Sequence, residues 1–560
     1  SASTTASGTG TTETSGTTAP DETTTTTTTG GSESVTDTSS ETETDTDTAT
    51  TGEPACSEGI EPGATVVLTT VGAVEGEPLA DVVAFRGIAY AEPPTGDRRW
   101  RPPEPRACQP GITPAVEYGP VCPQLEKDAQ GNTLGQLGDE DCLTLNVWTP
   151  AADAASRPVL VFIHGGGNAV GTGSDELYDG ARLAAGEDVV VVTLNYRLGA
   201  LGWLAHPSLD AENADGVSGN YALRDQILAL RWVTDNIAGF GGDPERVFLF
   251  GQSAGAVNTC AVVGAPAAAG LFHTAAVQSG ACGQQPKDRL LMNLSEPFVT
   301  NAGCADAADV AACLRALDAD TVISTDPDGY PQVSGLAPAW GPHVDGVVLP
   351  SSTLDAMEAG THNQVPMMIG DTAAETGLDV PPLTQAQYEA LVQATFGVLA
   401  PMVLAAYPLA DYGDDAQAAY VALTSDLKFV CNTRRSARAA VSAADDPVFR
   451  YHFTFDGYNT LPNVDPVAFH GLELIYIFGN WEAVLDGNFE YQPNADDLTM
   501  QAMMSATWAR FAATGDPADA DLMWAPYVAA DDNAALLDIP TGTINGVRTD
   551  QCDFWDMLLP

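Results

Sequence analysis

Four apolar residues, Val247-Phe-Leu-Phe, run without a break into Gly251-Gln252-Ser253-Ala254-Gly255, and helical character begins at Ala256. A strand that turns into a helix over so few residues leaves no room for side chains at the flanks of the turn. Glycine at both ends of a G-x-S-x-G pattern answers that need, and the turn lifts the serine hydroxyl above the sheet edge at a helix N-terminus. The five residues alone recur in many chains as a tight turn with a structural serine. The strand ahead of them makes Ser253 a candidate nucleophile.

The surrounding texture fits a sheet buried on both faces. Pro158 to Ile163 (PVLVFI) and Val189 to Leu194 (VVVVTL) are β-branched runs with no polar alternation. Thr65 to Thr69 and Val82 to Phe85 read as further strands. Tyr221 to Ile237 carries apolar residues at helical spacing, and Gly239, Gly241, Gly242 and Pro244 end that helix. Strands alternating with helices predict an α/β fold with a central, mostly parallel sheet flanked by helices.

A second element bears on Ser253. The strand Val159 to Ile163 ends in His164-Gly165-Gly166-Gly167. An acyl-transfer intermediate carries an oxyanion, which backbone N–H groups aimed at one point can stabilise, and consecutive glycines allow that approach. Gly166, Gly167 and Ala254, the residue after the serine, are the expected donors. Each is typically worth roughly a hundred- to a thousandfold in rate. His164 reads as structural, because in this architecture the base lies C-terminal to the serine.

Composition sets the setting. The chain of 560 residues carries 75 acids against 22 bases, a net charge of −53. Nucleic acid and anionic membrane surfaces are excluded as partners for want of a basic footprint. Residues 1–55 are almost all Ser, Thr, Gly, Ala, Asp and Glu, with Val35 the only large aliphatic. Such a stretch cannot bury enough surface to offset its ordering entropy. The expected organisation is a disordered linker over 1–58 and one catalytic domain over 59–560. No apolar run is read as a membrane span. The tail reads as a plain linker, or as a spacer behind a removed signal or a lipid anchor. Ten cysteines form no metal-spaced cluster, so no metal or cofactor is expected. Disulfides in an oxidising compartment are expected instead, placing the protein outside the cytoplasm, secreted or at the cell surface.

Several further segments resemble one family. Phe85-Arg-Gly-Ile-Ala-Tyr-Ala-Glu-Pro-Pro, Glu140-Asp-Cys-Leu-Thr-Leu-Asn-Val, Asn195-Tyr-Arg-Leu-Gly and Phe240-Gly-Gly-Asp-Pro resemble blocks of the type-B carboxylesterases, which are α/β-hydrolases. Trp508 to Pro517 and Trp524 to Tyr527 resemble its C-terminal landmarks. The resemblance implies hydrolysis of small-molecule carboxylic esters, and high Ala with only three Lys suggests a bacterial member. It also nominates the rest of a catalytic triad. Met367 to Glu375 resembles the segment with the acid and puts Glu375 at the matching position, which spacing alone could not separate from Asp371 or Asp379. Phe469-His470-Gly-Leu-Glu-Leu resembles the segment with the base, His470. The histidines at 206, 273, 343, 362 and 452 have no comparable context. By the same resemblance Cys122 pairs with Cys142, and Cys304 with Cys313. Pairings Cys56–Cys108, Cys260–Cys282 and Cys431–Cys552 are entertained for the remainder without a motif to fix them.

Two departures from relatives narrow the expected substrate. The Cys122–Cys142 loop holds 19 residues between its cysteines and no Trp, so it lacks the aromatic group that would hold a choline cation. Leu125 to Leu137 is short, polar and Gly-containing, unlike a lipase lid. Soluble short-to-medium-chain or aryl esters are therefore expected. A surface-tethered hydrolase of polymeric esters is the alternative, and a non-catalytic adhesion-type member is the rival from another class. Gln252 stands where many relatives place Glu, one negative charge fewer beside the serine.

Overall fold

The structure, a computed structural model, describes residues 56–127, 133–325, 333–335, 337–457, 467–481, 483, 492–520 and 522–558. The disordered linker expected over 1–58 lies outside the described residues up to residue 55, while at its end Cys56 is bonded to Cys108 and Ser57 is buried; the middle of the Leu125 to Leu137 loop also lies outside the described residues.

Eleven strands form one sheet. In chain order they are β1 (Glu77–Pro78), β2 (Val83–Ala89), β3 (Thr144–Thr149), β4 (Arg157–Ile163), β5 (Val190–Leu194) and β6 (Gly242–Gln252). Then follow β7 (Thr274–Gln278), β8 (Met367–Thr372), β9 (Val448–Phe453), β10 (Asn533–Leu537) and β11 (Gly542–Asn545). Across the sheet the order is β11-β10-β9-β8-β7-β6-β4-β5-β3-β2-β1. From β5 across to β10 neighbours pair in parallel. Antiparallel strands finish both edges. This is the expected α/β-hydrolase sheet, with β6 in its middle.

The period of two in each strand divides the core. Val159, Val161 and Ile163 of β4 and Val247 and Leu249 of β6 face one apolar layer. Leu160, Phe162, Phe248 and Phe250 face the other. Helices α1 (Tyr221–Asn236) and α2 (Ala254–Gly264) cover the first layer. Further on lie α3 (Gln385–Phe396), α4 (Ala400–Ala406), α5 (Leu472–Phe478), α6 (Ala495–Thr514) and α7 (Thr549–Leu558). Of these, α5 and α6 cover the second layer.

Two expectations need correction. The helix ends at the expected glycines, with Gly241 left-handed at its close, but the strand expected from Val247 already starts at Gly242, and its pairing with β4 shifts between Gly242 and Val247, which accommodates Pro244, a residue that cannot donate to the ladder. The second concerns span length. Among the described residues Gln385–Ala406 is long and apolar enough to cross a membrane by length and composition, with 17% of its apolar window buried. It is not one straight helix. Gly397 takes φ of +54° between α3 and α4, and Tyr388, Val392, Ala400 and Val403 pack into a small apolar cluster with the C-terminal α7.

All ten cysteines are paired, as Cys56–Cys108, Cys122–Cys142, Cys260–Cys282, Cys304–Cys313 and Cys431–Cys552. The ends of the Cys122–Cys142 loop form an antiparallel hairpin, Gln124–Lys127 with Thr133–Leu137.

Candidate active site

Ser253 follows directly on β6 and caps α2. Its φ is +60° with ψ of −126°, a strained conformation for a residue with a side chain, of order 1–3 kcal/mol. The surroundings hold it there: its N–H donates to the Gln278 carbonyl at 2.9 Å, and its own carbonyl receives Ala256 and Val257 N–H. A Cβ on Gly255 would strike the carbonyls of Ile163 and His164, and one on Gly251 would strike the carbonyl of Gly255. Both glycines are therefore dictated by close backbone approach.

The glycine loop after β4 lies against this turn. Gly166 and Gly167 take φ of +102° and +61°, and Ala169 and Val170 N–H both donate to the Gly166 carbonyl at 3.1 Å. Gly166, Gly167, Ala254, Ser253 and His470 line one cavity of about 440 Å³. His164 is fully buried, stacks on Tyr196 at 4.4 Å between ring centroids, and is pushed down to about 4 by burial, so it stays neutral.

Glu375 lies three residues beyond β8, and His470 lies between β9 and α5. His470 Nδ1 and Glu375 Oε2 are 2.5 Å apart, the Thr372 N–H donates to Glu375 Oε1 at 2.8 Å, and the His470 N–H donates to the Glu375 carbonyl at 3.2 Å. The imidazole is thereby fixed at one nitrogen. Its Nε2 is buried with no hydrogen-bond partner, and no bond to Ser253 is formed. The two other acids spacing had left open are engaged elsewhere. Asp371 takes His452 Nδ1 at 2.5 Å and the Thr433 hydroxyl, and Asp379 accepts the Ser334 N–H. The Asp371–His452 pair had no signal in the sequence.

Two further residues were missed. Glu473, three residues after His470, is fully buried, and its Oε1 accepts from Gln278 Nε2 at 3.2 Å. Burial, followed by the nearby Glu375 charge, pushes its carboxyl up to about 8. Lys428 lines the cavity beside Phe429, whose ring lies 4.7 Å from that of His470. Its scarcity, one of three lysines in the chain, was the signal available.

Comparison with known proteins adds to this geometry. The carboxylesterase family model matches residues 63–555. The chain belongs to the carboxylesterase family. This carboxylesterase is 37% identical over 460 residues to a fumonisin B1 esterase of Sphingopyxis macrogoltabida, covering 80% of this chain and 82% of that one. It is 34% identical to a para-nitrobenzyl esterase of Bacillus subtilis, covering 82% and 92%. A solved thermophilic para-nitrobenzyl esterase superposes with a TM-score of 0.76 at 31% identity, over 88% of this chain and all of the other.

In the carboxylesterase, two segments that carried the resemblance are scaffold. Arg197 of Asn195-Tyr-Arg-Leu-Gly makes a buried two-pronged pair with Asp225, at 2.6 and 2.8 Å. Glu140 of Glu140-Asp-Cys-Leu makes a similar pair with Arg99, at 2.5 and 2.6 Å.

Proposed function

We propose that this carboxylesterase cleaves carboxylic esters through an acyl-enzyme on Ser253. His470 Nε2 accepts the Ser253 proton as Oγ attacks the ester carbonyl, and Glu375 orients the ring and stabilises its charged form. The amides of Gly166, Gly167 and Ala254 donate to the oxyanion. Nε2 then gives its proton to the leaving alcohol. Water attacks the acyl-enzyme with its proton passing to Nε2, and the acid leaves as that proton returns to Ser253.

The observation that carries this reading is His470 Nε2. It is a buried nitrogen without a partner, on a ring held by Glu375, in the cavity that Ser253 also lines. The favoured substrates are soluble short-to-medium-chain or aryl esters. A cavity of about 440 Å³ suits a small ligand, the described residues of the Cys122–Cys142 loop include two paired strands rather than an amphipathic helix, and one relative is named for para-nitrobenzyl esters.

Ser253→Ala is expected to lower kcat on p-nitrophenyl acetate by at least about 10⁴-fold and to abolish labelling by a fluorophosphonate, with the melting temperature unchanged. Turnover retained in a folded variant would sink the assignment. Rate measured against acyl length tests the substrate class. A jump in activity with long-chain esters above their solubility limit would contradict it.

A further inference from the structure

Gln284 lines the cavity on a segment tied to the fold from both sides. Before it, Cys282 is bonded to Cys260 of α2, and the Cys282 carbonyl receives the Leu354 N–H at 2.9 Å. After it, Gln285 pairs in parallel with His343, next to the lining residues 339–342. The amide itself is oriented by a backbone group. Its Oε1 accepts the Thr353 N–H at 2.7 Å, and the Thr353 hydroxyl donates to the Cys260 carbonyl at 2.8 Å. A main-chain N–H only donates, so the oxygen must face it, and the NH2 end of the amide still has two donors to place. Gln284 is 7% exposed, and its Nε2 is buried with no hydrogen-bond partner among the described residues. Such a group is destabilising when left unpaired, and most of its kind in folded proteins are paired.

The same condition recurs beside the serine. Gln252 Nε2 and Ser279 Oγ are also buried without partners, on residues that line this cavity. Those two flank the reacting centre: Gln252 precedes Ser253, and Ser279 follows Gln278, whose carbonyl receives the Ser253 N–H. Gln284 is set apart from it. Through Thr353 it is anchored at Cys260, roughly two turns along α2 from Ser253, a rise of about 10 Å. It is therefore placed to meet an outlying part of a substrate arm rather than the ester group. An apolar arm packed against that wall strips the donor of water and leaves it unpaired, whereas an arm with an oxygen at that point completes it.

We propose that Gln284 is a specificity-determining residue that donates to an oxygen carried by one arm of the substrate, several bonds from the scissile carbonyl, so that keto or ether esters are preferred over hydrocarbon esters of the same shape. This rests on the reading of the cavity as the esterase site. The oxygen can belong to the acyl arm or to the alcohol arm.

The test uses pairs of nearly equal shape: p-nitrophenyl levulinate against p-nitrophenyl isocaproate for the acyl arm, and methoxyethyl acetate against butyl acetate for the alcohol arm. The readout is the ratio of kcat/KM, oxygenated over hydrocarbon, divided by the same ratio for hydrolysis by hydroxide. The wild-type value is expected above one in at least one pair, which also names the arm. Gln284→Met removes the amide at similar length and is expected to lower that value about three- to tenfold, the worth of a hydrogen bond between neutral groups. Gln284→Glu keeps an oxygen for the Thr353 N–H and replaces the NH2, and is expected to lower the value at least as far. A merely structural role would slow both members of a pair alike and leave the value in place, which overturns the proposal. A wild-type value at or below one in both pairs overturns it too. Failure to hydrolyse any of the four esters would instead sink the reading of the site itself.

Discussion

Glu473 shows how a single buried acid shapes a site. Its raised carboxyl pKa, about 8, comes from burial and from Glu375. An acid whose folded pKa lies above its unfolded value keeps a proton that the unfolded chain would release. Its contribution is therefore harmless below the ordinary carboxyl range and erodes stability as the pH climbs from about 4.5 towards about 8. Glu473→Gln preserves the oxygen that accepts from Gln278 and removes the titration. The variant is expected to melt above the parent on the alkaline side of 8, with the gap closing as the pH falls to about 4. Melting curves across pH check this, and a gap that does not move with pH would contradict it. Glu473 was visible in the sequence only as one letter after His470-Gly-Leu. Its meaning depends on burial, which a local pattern does not carry. Ser253 was legible because its constraint is local: the glycines on either side are required by backbone contacts within the same turn and with β4. Asp371 and Glu375 are four residues apart, and only the fold decides which of two histidines each one meets.

At the scale of elements, the runs of Val, Ile and Phe in β4, β5 and β6 were readable because a strand buried on both faces has no polar alternation to confuse it. Edges were harder. Pro244 reads as a helix stop, yet the shifted pairing between β6 and β4 lets a strand begin ahead of it. Gln385–Ala406 hid its apolar length behind scattered Gln, Glu and Thr residues and a bend at Gly397. The pairing of Cys431 with Cys552 joins the helix Cys431–Ala440 to α7 across 121 residues of chain. Closing so long a loop constrains the unfolded chain strongly. The double variant Cys431→Ala/Cys552→Ala is expected to lose about 3–5 kcal/mol in urea denaturation. A loss under about 1 kcal/mol would show that the ion pairs of Arg434 with Asp553 and Asp556 suffice to hold α7 in place.

Across the whole molecule, a net charge of −53 makes self-repulsion a standing opponent of the compact state. Added salt screens it. The melting temperature is expected to rise as NaCl goes from about 0.01 M to about 1 M, where the Debye length shrinks from about 30 to 3 Å. A flat or falling curve would mean that the 22 basic residues already neutralise the repulsion locally. The first disulfide bears on another kind of load. Cys56 and Cys108 bracket the segment that holds β1 and β2, the last two strands at one edge of the large sheet. A pull on the polypeptide ahead of Cys56 passes through the sulfur bridge to Cys108 and leaves the chain between them slack. Mechanical peeling from that direction, or a protease nibbling towards Cys56, therefore cannot draw those strands out of the sheet until a covalent bond is cut.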